Sequence, residues 1–214
     1  MKRIQMIAGK FVLVLLLLLL SACAADQKLS EENLVALRAQ YPYCSTANVS
    51  KATLPEELWV KGYDVFAVAE LTGDRTKASG TALPNPSADP GLSTNITTYF
   101  FPAHLVEILD IRDGCSLNEK DITLSFPGLF YDPRMAFDKG QKLVVFGSLD
   151  KSERTGETLI GIGAVMSFYL TDKNYVLSLS DHAQMEQFSG WKLDAFKNEM
   201  LRIAEAGGWH RQVG

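Results

Sequence analysis

"FDKGQKLVVFGSL", residues 137–149, is the stretch from which the fold can be read. Lys139-Gly140 makes a turn, and Leu143, Val144, Val145 and Phe146 follow without a polar break. A half-buried strand alternates apolar and polar residues, whereas a strand covered on both sides reads as a continuous apolar run. Residues 141–149 are therefore predicted to be a strand with both faces covered.

Similar segments lie on either side. Residues 63–71, "YDVFAVAEL", are short, apolar and rich in strand formers. Residues 97–111, "TTYFFPAHLVEILDI", make a longer strand, in which Pro102 has no amide to donate and marks an edge or bulge. In residues 121–126, Ile122, Leu124 and Phe126 share one face. Residues 157–170 carry Gly161 and Gly163, suited to a bend or close approach. Residues 174–180 alternate again through Tyr175, Leu177 and Leu179. Six candidate strands without interleaved helices predict a mainly β, antiparallel sheet or barrel.

Helices are expected at both ends. Ser30 can cap a short helix that opens with Glu31 and Glu32 and stops at Tyr41-Pro42; it is either docked or a spacer. Near the C-terminus, Trp191, Phe196, Met200, Ile203 and Ala204 recur at helical spacing and predict a stripe facing the core. Ser189 or Asp194 could cap its start, and Gly207-Gly208 its end. Residues 73–95 hold three prolines and three glycines and predict a long loop. Arg75, Lys77, Asn85 and Asp89 are its candidate recognition residues.

The first residues concern location. Lys2, Arg3 and Lys10 precede or flank a ten-residue apolar run, Phe11 to Leu20, and residues 1–22 contain no acid. A membrane-spanning helix needs about 20 apolar residues; a run half as long with a basic flank has the form of an export signal. Leu20-Ser21-Ala22-Cys23 resembles the bacterial lipobox. That resemblance implies cleavage before Cys23 and acylation of its thiol and new amine. The protein would then be lipid-anchored outside the cytoplasm. Ala24 rather than Asp after the cysteine implies sorting to the outer membrane if the envelope is Gram-negative.

Without residues 1–22, Lys+Arg falls from 21 to 18 while Asp+Glu stays at 25, a net charge of about −7. An acidic domain lacks the clustered cations that nucleic-acid binding requires. Two cysteines remain, Cys44 and Cys115. In an oxidising compartment the pair reads as a disulfide, the alternative being two independent thiols. Neither cysteine has zinc-site spacing.

The order of "YPYCST", "DVFAVAELTG", "TTYFFPAHLVEIL", "KDITLSFPG", "FDKGQKLVVFGSL" and a closing helix resembles the netrin/TIMP-like OB barrel over residues 44–205. The resemblance implies a closed barrel of about five strands, so one of the six candidates would be an extension. It also implies a cysteine staple from the N-terminal lead to the barrel. The zinc-chelating N-terminal cysteine of the family's eukaryotic inhibitors does not carry over: Cys44 is internal and the amine of Cys23 would be acylated. The expected division is a leader over 1–22, a lipidated tether and short helix over 23–43, and the barrel domain with its C-terminal helix over 44–214.

Chemistry is sparse. Of three histidines, His104 falls in an apolar strand, His210 in the tail, and His182 in Ser180-Asp181-His182, where adjacency does not make a triad. Residues 73–81 lack the phosphate-loop spacing. Asp110, Asp113, Asp121, Asp132 and Asp138 are scattered among turns without a calcium-loop pattern. Two aromatic groups, Tyr99, Phe100 and Phe101, and Phe126, Phe130 and Tyr131, read as core. No catalytic set, metal site or cofactor motif is therefore expected. The leading expectation is a non-enzymatic, lipid-anchored module that binds a protein or envelope partner. The alternatives are an envelope hydrolase with an unrecognised site and a purely structural lipoprotein.

Overall fold

The structure, a computed structural model, describes residues 27–44, 63–81, 95–127, 137–151 and 156–206. The leader, the lipobox cysteine, Asn85, Asp89, Phe130, Tyr131, Asp132, Gly207-Gly208 and His210 lie outside the described residues.

Among the described residues seven strands are formed: β1 (Val65–Leu71), β2 (Thr76–Thr81), β3 (Asn95–Ile111), β4 (Asp121–Pro127), β5 (Lys142–Lys151), β6 (Thr158–Leu170) and β7 (Val176–Ser178). The helices among the described residues are α1 (Glu31–Arg38), α2 (Ala183–Glu186) and α3 (Leu193–Ala206). Five strands close a ring, β1–β3–β4–β6–β5 and back to β1. This is an OB-like barrel, as the sequence predicts. One correction concerns direction: β4 and β6 pair in parallel, Thr123 to Leu159 through Ser125 to Gly161, while the other ladders are antiparallel. The expected extension is β7, which pairs only with β6.

β5 is covered on both faces. Leu143 and Val145 enter the barrel interior with Val65, Ala67, Ala69, Leu71, Ile122, Leu124 and Phe126. Val144 and Phe146 join Phe66 and Val68 in a second layer under α2 and α3. Phe66 and Phe146 stack at 4.2 Å between ring centres, and Phe196 of α3 meets both edge-on at 6.2 Å. Aromatic pairs favour these offset and edge geometries. Phe196, Met200, Ile203 and Ala204 are buried, so the α3 stripe faces the core as its spacing predicts.

A bulge lets β6 serve both layers. Val145 pairs with Ser167, but Gly147 pairs with Ile162, so four residues, 163–166, stand against Phe146 alone and three of them are extra. That odd shift exchanges the two faces: Ile160 and Ile162 point inward before it and Tyr169 after it. The close approach falls at Gly147 rather than at Gly161. A Cβ on Gly147 would lie 2.4 Å from Ile160 Cγ2 and 2.8 Å from the Gly161 carbonyl oxygen, whereas one on Gly161 would have 3.8 Å to its nearest neighbour.

The predicted loop over 73–95 is corrected in part, because Thr76–Thr81 form β2 against Asn95–Phe100 of β3. β1 and β2 occupy the same edge of β3 in succession, from Leu71↔Ala103 to Thr76↔Phe100. Pro102 sits where β3 exchanges one partner for the other. Its carbonyl accepts from Thr72 N at 2.9 Å, and on its other side it stands opposite Thr123. The missing donor thus falls in a gap between ladders.

The disulfide expected between Cys44 and Cys115 is also corrected: the two sulfurs are not at disulfide distance. Cys44 is buried, its Sγ 2.9 Å from Tyr169 Oη. Cys115 lies in the turn after β3, where its amide donates to Arg112 O at 3.0 Å. Tyr169 is level with Leu143 and Ala69, whereas that turn follows Ile111, level with Val65. Four residues of strand span about 13 Å, and a disulfide needs Cα atoms within about 7 Å.

Candidate functional site

The N-terminal segment is docked to the barrel and shapes one wall of a groove. Ser30 caps α1, its hydroxyl accepting from Asn33 N at 3.4 Å. Leu34 and Leu37 pack against the interior cluster, while Val35 is 68% exposed on the opposite side. Before the helix, Leu29 N donates to Gly190 O and Lys192 N to Gln27 O, both at 2.8 Å. After it, Cys44 N donates to Leu179 O at 2.7 Å and Tyr169 Oη to Pro42 O at 3.0 Å.

Arg38, at the end of α1, holds this arrangement. Its guanidinium donates to Ser178 O at 2.8 Å, Tyr41 O at 3.1 Å, Ser189 Oγ at 3.0 Å and Glu186 Oε2 at 2.5 Å. Ser189 Oγ in turn donates to the same carboxylate at 2.7 Å and accepts from Ser178 N at 2.9 Å. Ser189 therefore belongs to this network and does not cap α3. The guanidinium also lies 4.1 Å from the Tyr43 ring centre, a cation–π contact. Burial raises the Tyr43 phenol above its ordinary value, Arg38 opposes that, and Glu186 adds to it.

Between α1 and the β6–β7 turn lies a groove of about 520 Å³. Asn33, Leu37 and Gln40 line its helical side; Thr171, Asp172 and Tyr175 line the turn side, with Tyr41 beside them. Asn174 holds the turn with a positive φ of 60°, a conformation asparagine tolerates. Thr171 Oγ1 accepts from Tyr175 N at 3.0 Å, which fixes the threonine as a turn-forming group. Burial, then the nearby Asp172 carboxylate, raises the Tyr41 phenol above its ordinary value. Tyr41 therefore stays a neutral donor at any physiological pH. The lining offers two amides, two phenols, the Asp172 carboxylate and the Lys173 ammonium beside apolar Leu29, Ala36 and Leu37, a composition suited to holding a polar ligand.

Of the candidate recognition residues, Arg75 and Lys77 fall among the described residues. Arg75 lies just before β2, its guanidinium 5.4 Å from the Tyr99 ring centre. Lys77 is in β2, in register with Tyr99. Tyr99, Phe101 and Phe126 are buried in the barrel, as expected. Ser180-Asp181-His182 forms a turn: Ser180 Oγ accepts from His182 N at 3.0 Å, and His182 Nδ1 caps α2 by accepting from Gln184 N at 3.3 Å. His104 is more than a sheet histidine in isolation, since its Nδ1 lies 2.8 Å from Asp121 Oδ1. That pair is exposed, at 43% and 90% for the two side chains. Among the described residues no group of three or more His, Cys, Asp and Glu could hold a metal ion, and no helix is long and apolar enough to cross a membrane. The groove and the Arg38 network escaped the sequence reading because their residues are distributed between positions 29–43 and 171–189.

No protein-family model matches the chain, and no curated protein matches it.

Proposed function

We propose that the chain is a lipid-anchored protein of the bacterial envelope: residues 1–22 direct export, acylated Cys23 holds the membrane, and the OB-like barrel acts as a non-enzymatic binding module. The observation that carries the binding role is the groove between α1 and the β6–β7 turn. Its size lies within the range of small-molecule sites, about 300–1,000 Å³. Its polar groups come from both sides, Asn33 and Gln40 from the helical side and Thr171, Asp172, Lys173 and Tyr175 from the turn, a division suited to gripping a ligand between them. The ligand is an envelope component or partner segment that presents hydroxyl and amide groups.

The anchor is tested by mass spectrometry of the mature protein, expected to begin at an acylated Cys23. Unchanged processing and membrane retention in Cys23→Ala would refute it. The binding role is tested with a photo-crosslinking side chain at Gln40 in intact cells. A discrete adduct is expected there, and loss of that adduct in Tyr41→Ala. Identical adducts from Gln40 and from exposed Lys139 would show that the groove has no role.

A further inference from the structure

We propose that the groove between α1 and the β6–β7 turn takes an electrically neutral oligosaccharide that carries acetamido groups. The inference rests on the groove being a binding site and names the class of molecule that fills it.

Neither wall of the groove offers a main-chain edge. On the turn side, Thr171 N donates to Tyr175 O at 2.9 Å and Asn174 N to Thr171 O at 2.8 Å. Thr171 Oγ1 takes the Tyr175 amide at 3.0 Å. Lys192 Nζ donates to the Lys173 carbonyl and Leu193 N to the Asn174 carbonyl, both at 2.9 Å. The opposite wall is a helix, whose backbone bonds run within it. An extended peptide is held chiefly by main-chain bonds along an open strand edge. Recognition in this groove falls instead to side chains.

The side chains that line it are Asn33, Gln40, Tyr41, Asp172, Lys173 and Tyr175. Among the described residues, none of them spends its side-chain polar atoms on a hydrogen bond. The Asp172 carboxylate and the Lys173 ammonium cancel, so the lining has no surplus charge to select a phosphate, a polyanion or a polycation. The amides of Asn33 and Gln40 both donate and accept, as do the phenols of Tyr41 and Tyr175. Sugar hydroxyls and acetamido groups have the same double capacity, and neighbouring hydroxyls present it in pairs that match a planar amide or carboxylate.

The rings are held in place as well. Tyr41 leans on Tyr169 at 5.3 Å between ring centres, and Lys192 Nζ lies 4.1 Å from the centre of Tyr175. Tyrosines give large, rigid contact area at low entropic cost, and the electron-rich ring face attracts the C–H groups of a sugar ring.

Saturation-transfer NMR tests the assignment on the full lipidated protein in a zwitterionic, sugar-free detergent. The probe is the chitin trimer of N-acetylglucosamine. Transfer from the protein to the acetyl methyl groups is expected, with none from detergent alone. Asp172→Ala should weaken binding about ten-fold and Asn33→Ala about three-fold. Both positions are exposed, so both variants should melt as wild type does. Wild-type affinity in both variants would overturn the placement of the saccharide in this groove. No transfer to the trimer, with a discrete adduct still formed from Gln40 in cells, would overturn the saccharide and leave the groove as a binding site. Absence of both transfer and adduct would overturn the two together.

Discussion

Arg38 and Glu186 meet at 2.5 Å although 148 positions separate them in the chain. Their side chains are 15% and 27% exposed, so the pair is largely withdrawn from water. Arg38→Ala would leave the Glu186 carboxylate with only the neutral donors Ser189 and Tyr43. We expect a loss of about 1.5–3 kcal/mol, the range for hydrogen bonds to charged groups, seen as a lower denaturant midpoint. Glu186→Gln keeps an acceptor and should cost less. A melt of Arg38→Ala that superimposes on wild type would contradict the role given to this network.

Gly147→Ala should be far more harmful than Gly161→Ala. The added methyl at 147 meets the Gly161 carbonyl oxygen, a backbone atom that cannot swing away, as well as two isoleucine methyls. Overpacking of this kind costs about 1–3 kcal/mol. Gly161→Ala should stay within about 0.5 kcal/mol. Equal thermal shifts for the two variants would count against the close approach of β5 to β6.

Neither Cys44 nor Cys115 should be disulfide-bonded in the native protein. Cys115, partly exposed, should be alkylated slowly, and buried Cys44 only on unfolding. Burial, then the adjacent Asp64 carboxylate, raises the Cys115 thiol above its ordinary value. Its thiolate fraction near neutral pH is accordingly low, and alkylation should keep accelerating above pH 9. A Cys44–Cys115 linked peptide in a non-reducing digest would reverse this conclusion.

Tyr63 supplies a pH dependence. Burial pushes its phenol up to about 12, beside the edge of Phe146 at 5.9 Å. The folded protein therefore holds this proton more tightly than the unfolded chain, whose tyrosines titrate near 10. Its contribution is fully present below pH 10 and is lost as the pH rises towards 12, amounting to about 2–3 kcal/mol. Tyr63→Phe should flatten the alkaline limb of a stability–pH curve. An unchanged slope would place the alkaline sensitivity elsewhere.

The sequence was most legible where a strand's faces have clear destinies. Ile122, Leu124 and Phe126 alternate and all turn inward; Leu143 to Phe146 do not alternate and serve two layers. The α3 stripe was equally legible because its spacing is fixed by the helix. β2 was not: "TKASGT" has no apolar period, and its strand exists because β3 outlasts β1 and offers a ladder. The parallel β4–β6 seam was hidden because barrel closure joins residues by shear, which local pattern does not encode. The cysteines misled because an even count gives compartment chemistry but not distance. The groove was least legible of all, being made by a helix that read equally as docked or as a spacer and by a turn with no motif of its own.

The docking of the N-terminal segment also imposes an order of events. Lys28, Arg38 and Cys44 reach partners 159, 140 to 151, and 125 positions downstream; of these long-range contacts, none can form until the last third of the chain has been made and folded. Acylation of Cys23, under the proposed function, needs only the emerging leader. The molecule would thus be fastened to the lipid first and close its own N-terminus afterwards, so that its final folding step takes place at the membrane surface.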